Sequence, residues 1–346
     1  MPDERIDILT LDRAGLEGAM GALGQPAFRV SQVVRRLYQR GASSFEEMTD
    51  LPKGLREELG RRYSFALPVV VARQESSDGT RKYLVRFADG VPVEMVGLPA
   101  GDRLTVCFST QAGCAMGCAF CATGQGGLVR GLRSGEMAVQ VLLVASDYDR
   151  RVTNAVAMGQ GEPFADYDAT IGGLRLLNDP DALGIGARHI TVSTCGLLPG
   201  IRRLAREPEQ FTLAVSLHSA LQVTRDRLMP GVRTYPLASL RSALSDYFAT
   251  SGRRPTLEYA LIGGINDTDD ELSALVGFCR GMPFHVNLIP VNPVAGTDSA
   301  KPGARRIEEF RRALADAGIE ASVRVERGAD IDAACGQLKQ RHDVEA

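Results

Sequence analysis

Beyond Arg103 the chain alternates six short apolar runs, LTVCFS, NAVAM, HITVS, FTLAVSL, TLEYALI and FHVNLI, with amphipathic segments such as MAVQVLLVASDY, IGGLRLL, LASLRSALSDYF and DDELSALVGFC. Six strand and helix units in series predict an α/β fold built on a parallel barrel or a doubly wound sheet. Folds of this kind place their chemistry at the C-terminal ends of the strands. Each run here is followed by a polar or glycine-rich loop. No internal repeat, low-complexity tract or long linker interrupts the series.

The first hundred residues read differently. Phe28, Val30, Val33, Val34, Leu37 and Tyr38 recur near the helical period, and Pro26, Gly41 and Pro52 punctuate the segment, so residues 1–63 are expected to form a small helical accessory domain. Residues 29–62 hold eight Arg or Lys against five Asp or Glu, a local positive excess that suits RNA contact and equally suits an ordinary solvated helix face. Residues 64–99 carry the extended runs VVVAR, YLVRF and VPVEMVG, separated by Asp78-Gly79 and Asp89-Gly90, dipeptides favoured in tight hairpin turns. They are expected to form a β-meander linker to a core at 100–346.

Composition excludes several classes. Apolar residues at 44% and charged residues at 24% describe a packed globular chain. No apolar run approaches the ~20 residues of a membrane span, and MPDERIDILTLD lacks a signal peptide's basic and apolar regions, so a cytoplasmic protein is expected. Seven cysteines in a long chain do not read as a disulfide framework. A net charge of −2 does not by itself point to nucleic acid.

The chemistry is concentrated in CAMGCAFCATGQGG, where Cys114, Cys118 and Cys121 follow a C-x3-C-x2-C spacing. Three thiolates can hold a [4Fe-4S] cluster and leave one iron open to a small molecule. A closed zinc site needs a fourth nearby ligand. The first histidine after the motif is His189. Three buried core cysteines are the bland alternative, which the surrounding glycines disfavour. The stretch resembles the radical S-adenosylmethionine (SAM) enzymes, in which the open iron binds the amino and carboxylate groups of SAM.

Other strand-end loops add polar groups. In MGQGEP, Gly159 and Gly161 allow close backbone approach and Glu162 can pair with an ammonium group, although a turn with a capping acid is the plain alternative. TVSTCG offers Ser193, AVSLHS offers Ser216, Leu217 and His218, and NLIPVNP offers Asn292, a set suited to ribose, carboxylate and adenine. Taken singly, each is as well explained as a satisfied loop group. Cys195 and Cys279 are read as core.

With these segments assembled, the chain resembles the RlmN-type RNA methyltransferases over nearly its whole length. The resemblance rests on FRVSQVVRRLYQRGASSFEEMTDLPKGLREEL, DGTRKYLVRFADGVPVE, the cysteine loop, MGQGEP, LAVSLHS, RLMP, NLIPVNP and RGADIDAACGQL. It implies a partial (β/α)6 radical-SAM barrel that methylates adenine C2 in 23S rRNA and some tRNAs, using two SAM per turnover. It implies cluster ligation by Cys114, Cys118 and Cys121, and SAM contacts from Gly161, Glu162, Ser193, Ser216, Leu217, His218 and Asn292. Cys335 matches the methyl-accepting cysteine, Cys107 the thiol that resolves the protein–RNA adduct through a transient disulfide, and Glu94 the base that removes the C2 hydrogen. Read without the family, Cys107 is a buried strand cysteine. A disulfide stage requires the Cα atoms of Cys107 and Cys335 within about 7 Å.

Substrate RNA is then expected to present a splayed loop adenine, with the helical module, Arg130 and Arg133 on its phosphates. A flavodoxin-type electron donor is the family expectation, and a monomer is expected because the sequence shows no coiled-coil pattern or exposed apolar stripe. Two departures stand out: Ser219-Ala220-Leu221-Gln222 replaces a common A-P-N-D, and Gln160 replaces a frequent methionine. The competing readings are the Cfr-type C8 methyltransferase, which uses the same cysteines, and a non-methylating iron-sulfur RNA-binding or redox protein.

Overall fold

In the computed structural model, which describes residues 5–292, 297, 299–333 and 336–338, one ten-stranded sheet runs through the molecule. Its strands are β1 (Val69–Glu75), β2 (Arg81–Arg86), β3 (Pro92–Ala100), β4 (Arg103–Cys107), β5 (Asn154–Ala157), β6 (Ile190–Thr194), β7 (Thr212–Ser216), β8 (Thr256–Leu261), β9 (His285–Pro290) and β10 (Glu320–Val323). Spatial order follows chain order from β1 to β10. β1 to β4 are antiparallel, and β4 to β10 are parallel.

All six runs read from the sequence are strands, and their apolar residues are buried because helices cover the sheet. The seventh parallel strand, β10, is a half-exposed edge with no apolar run to announce it. The helices Ser134–Tyr148, Tyr167–Asn178, Leu237–Ser251 and Asp269–Cys279 coincide with the four amphipathic segments. The meander does not stand apart: β3 pairs with β4 from Val96↔Cys107 to Ala100↔Arg103, so it extends the same sheet. Its two turns place Gly79 and Gly90 at φ +80° and +83°, as Asp-Gly turns require.

The helices Arg13–Ala22, Phe28–Tyr38 and Lys53–Arg62 form the N-terminal module. It docks on the core through a backbone contact at Gly135, where a Cβ would lie 1.9 Å from the Leu9 carbonyl oxygen. Arg13 pairs with Asp179 and Asp181, and Arg35 adds a two-pronged contact to Asp181 at 2.9 and 2.7 Å. Among the described residues no helix is long and apolar enough to cross a membrane.

Candidate active site

The loop after β4 is framed by a small antiparallel hairpin of Gln111–Gly113 and Leu128–Gly131, a frame with too few residues to leave a sequence pattern. Cys114, Cys118 and Cys121 lie inside it, followed by one helical turn at Ala122–Gln125. The three cysteines line one cavity at the C-terminal ends of the parallel strands, together with Glu162, Ser193, Cys195, Ser216, His218 and Glu258. Burial, with the neighbouring Cys118 and Cys121 acting in the same direction, pushes the Cys114 thiol up to about 12; burial also raises Cys121. Crowded thiols of this kind become thiolates only beside added positive charge, which iron supplies. Among the described residues no three such side chains converge on a single-ion site. Three thiols that line a cavity roomy enough for a small molecule are a donor set that fits a [4Fe-4S] cluster with one open iron.

Glu162 is 1% exposed and lines the cavity. Its Oε1 accepts from the Phe164 N–H at 2.9 Å and its Oε2 from the Cys195 N–H at 2.6 Å. The carboxyl thus caps the short helix Pro163–Asp166 and ties it to the β6 loop. Burial raises its pKa, against the backbone hydrogen bonds that lower it. Gly159 and Gly161 also line the cavity, but what demands glycine there is protein. A Cβ on Gly159 would sit 2.7 Å from the Phe108 carbonyl oxygen, and one on Gly161, at φ +107°, 2.7 Å from Gln111.

His218 is fixed more tightly than its loop position suggests. Its φ of +55° is a left-handed backbone. The strain is held because its N–H donates to the Glu258 carbonyl, its carbonyl accepts from Asn266 Nδ2 at 2.6 Å, and its Nδ1 accepts from the Ala260 N–H at 2.8 Å. Burial, aided by the Arg225 charge, pushes the imidazole down to about 3, so it is neutral with its proton on Nε2. The Phe120 ring meets it edge-on at 4.6 Å. Ser193 and Ser216 line the same cavity, whereas the Leu217 side chain is fully buried in the core.

A second cavity adjoins the first and shares Met158, Ile289, Arg324 and Leu338 with it. Cys107 and Asn292 line this one, and the Asn292 Oδ1 is buried without a hydrogen-bond partner among the described residues. Cys107 packs with Val96, Ala333 and Leu338. Cys335 lies outside the described residues. Its sequence neighbours reach the cysteine loop: the Gly336 carbonyl accepts from the Ala122 N–H at 2.7 Å, and the Leu338 carbonyl from Thr123 Oγ1 at 2.7 Å. Among the described residues no disulfide is formed. Glu94 is buried in an ion pair with Lys82 at 3.0 Å, and Lys82 Nζ also donates to the Asp332 carbonyl at 3.1 Å. Neither cavity wall includes Glu94.

The structure adds to the sequence reading at four places. Cys195, read as core, packs on the apolar cluster of Leu228 and Met229 and also stands in the cavity wall with Cys118. Arg35 and Arg36 are engaged by Asp181 and Asp50, and Arg130 by Glu136 and Asp89, so any phosphate they meet competes with these carboxylates. Ser219 and Gln222, the departures after His218, serve the fold: Ser219 Oγ donates to Glu271 at 2.8 Å, and Gln222 bridges Asp226 and the Leu237 N–H. Glu258 went unnoticed. It is a carboxyl in the cavity wall, raised by burial and held by Asn287 at 2.8 Å. Its signal was a lone acid in the apolar run TLEYALI.

A cysteine-lined cavity at the strand ends of a parallel α/β sheet defines a radical SAM enzyme, and residues 108–279 match the Radical SAM superfamily model. Residues 6–64 match the ribosomal RNA large subunit methyltransferase N-terminal domain. A radical SAM methyltransferase from Sphaerobacter thermophilus superposes with a TM-score of 0.91 at 44% identity, covering 97% of this chain and 100% of that one. The chain belongs to the RlmN family. It is 46% identical over 340 residues to a probable dual-specificity RNA methyltransferase RlmN of Pelotomaculum thermopropionicum, covering 98% of this chain and 92% of that protein. It is 47% identical to the counterpart in Gloeobacter violaceus over 92% of this chain and 90% of that one.

Proposed function

We propose that this chain methylates adenine C2 in 23S rRNA and in tRNA, with Cys335 as methyl carrier, Cys107 as resolving thiol and Glu94 as base. The observation that carries the reading is the pair of contiguous cavities, one walled by the three cluster cysteines and the other by Cys107, with the segment flanking Cys335 against both. Adenine C2 lies between two ring nitrogens and is too electron-poor for ordinary methyl transfer. The cluster and SAM supply, when bound, the electron and the radical that make a carbon on sulfur reactive. Cys114, Cys118 and Cys121 would hold the cluster, and Glu162, Ser193, Ser216 and His218 would contact SAM, their loops joined by the Glu162–Cys195 and His218–Ala260 hydrogen bonds.

The chain's own groups do the rest. The Cys335 thiolate takes a methyl group by displacement. Glu94 accepts the C2 proton, positioned by Lys82 and by the Ser109 hydroxyl, which donates to the Glu94 carbonyl at 2.6 Å. The Cys107 thiolate attacks the carrier sulfur, forming a sulfur–sulfur bond as the carbon–sulfur bond breaks; the electron pair stays with the RNA-bound carbon, which takes a proton to become the methyl group, and the RNA leaves. Of the N-terminal module, Phe28 faces outward, 58% exposed with the Arg29 guanidinium over its ring, a stacking pair suited to RNA.

The test is anaerobic reconstitution followed by assay on 23S rRNA fragments and tRNA with wild type and Cys107→Ala. A stalled protein–RNA crosslink in the variant, and 2-methyladenine by mass mapping in wild type, are expected. Normal product from Cys107→Ala removes Cys107 from the scheme, and methylation at C8 overturns the site assignment.

A further inference from the structure

Arg225 is the largest side chain in the molecule buried to under 2% exposure, and no carboxylate lies within ion-pair distance of it among the described residues. Its Nη2 donates to the Cys195 carbonyl at 2.6 Å and lies 3.5 Å from the Ser216 carbonyl. Nε and Nη1 are buried without a partner among the described residues. The end of its helix and the turn after it are bonded to the cysteine loop, the Ala119 N–H donating to the Leu228 carbonyl at 2.9 Å and the Gly231 N–H to the Met116 carbonyl at 3.0 Å. The neighbouring His218 is neutral and provides no counter-charge. A guanidinium buried this way is costly unless negative charge faces it. The cavity wall that this helix backs is the one that carries Cys118 and Cys195.

Cys195 links the two. Its carbonyl clamps the guanidinium, while its side chain lines the same cavity as Cys118, both packed on the Leu228–Met229 cluster. Iron-sulfur potentials are set by local charge, burial and hydrogen bonds to the sulfurs. Reduction adds one electron, and a buried cation behind the cluster wall stabilises the added negative charge, as does a thiol in that wall able to donate to sulfur.

Resting on the cluster reading above, we infer that Arg225 and Cys195 back the Cys118 corner of the iron-sulfur site and raise its reduction potential. They are positioning residues that act through Cys118. The pairing explains why a charged side chain occupies the most enclosed part of a short helix, Gln222–Leu228.

The experiment compares full-length wild type, Arg225→Lys, Arg225→Met and Cys195→Ala, each reconstituted anaerobically and titrated with dithionite against mediators, the reduced cluster being read by electron paramagnetic resonance. Iron content and circular dichroism certify loading and folding. Arg225→Met and Cys195→Ala are expected to reduce at lower potential than wild type, with Arg225→Lys closer to wild type than the Met variant. A wild-type midpoint in Arg225→Met at equal iron content overturns the inference, whatever its affinity for SAM. Should Arg225→Met fail to load or fold, the decision passes to Cys195→Ala, whose wild-type midpoint would equally overturn it. Shifted midpoints in a protein that methylates no RNA would sink the methyltransferase reading alone. A wild-type chain that takes up no iron-sulfur cluster overturns both.

Discussion

Single residues around the first cavity do structural work that fixes the chemistry's geometry. Asn266 is fully buried and uses all of its amide: Nδ2 serves the carbonyls of His218 and Ala260 at 2.6 and 2.7 Å, and Oδ1 takes the Ile262 N–H at 2.6 Å. Asn266→Ala orphans three backbone groups, so urea unfolding should register a loss of about 3 kcal/mol. His218 carries a pH signature. Its folded pKa, near 3, lies below the unfolded 6.5, so its contribution is complete above pH 6.5 and is lost as pH falls toward 3. From pH 7.5 to pH 5 this amounts to about 2 kcal/mol. Glu258, raised by burial, works in the opposite sense and loses stability as pH rises. The difference between wild type and His218→Gln isolates the histidine: urea midpoints should fall more steeply with acid in wild type, and parallel slopes would refute the assignment.

At the scale of elements, contacts between loops and helices decide which residues had to be small. Gly135 opens the helix Ser134–Tyr148 directly against the Leu9 carbonyl, and backbone cannot yield as a side chain does. Gly135→Ala should therefore destabilise by about 2–4 kcal/mol or separate the module from the core. Limited proteolysis around residues 60–70 reads the second outcome directly. The Lys82–Glu94 pair joins β2 to β3 inside the sheet, and Lys82 also reaches the segment before Cys335. Lys82→Met leaves a buried carboxylate without its cation, at about 3–5 kcal/mol, and should slow methylation beyond what its lowered thermal midpoint explains. Lys82→Arg tests whether charge alone restores it.

For the molecule as a whole, the N-terminal module is held by Arg13 and Arg35 on Asp179 and Asp181, partly exposed pairs. Arg35→Glu should cost about 1 kcal/mol, seen as a small fall in thermal midpoint that salt diminishes. A larger fall in RNA affinity than in stability would return Arg35 to the phosphate-binding surface. Six strands, the two Asp-Gly hairpins, the N-terminal helices and the cysteine loop were legible in the sequence, because apolar period, turn chemistry and ligand spacing are local. β10 was not, since an edge strand buries too little to carry an apolar run. Nor was the role of Cys195, Glu258 or Arg225: each stands in a segment that reads as ordinary core or surface until the sheet brings its loop beside another. The residues by themselves determined the kind of layers and the thiol donors, which depend on neighbours a few positions away. Only the tertiary structure decided which glycines meet backbone, which cations are already paired and which thiol shares a cavity wall with Cys118, because parallel strands gather at one sheet end loops that are far apart along the chain.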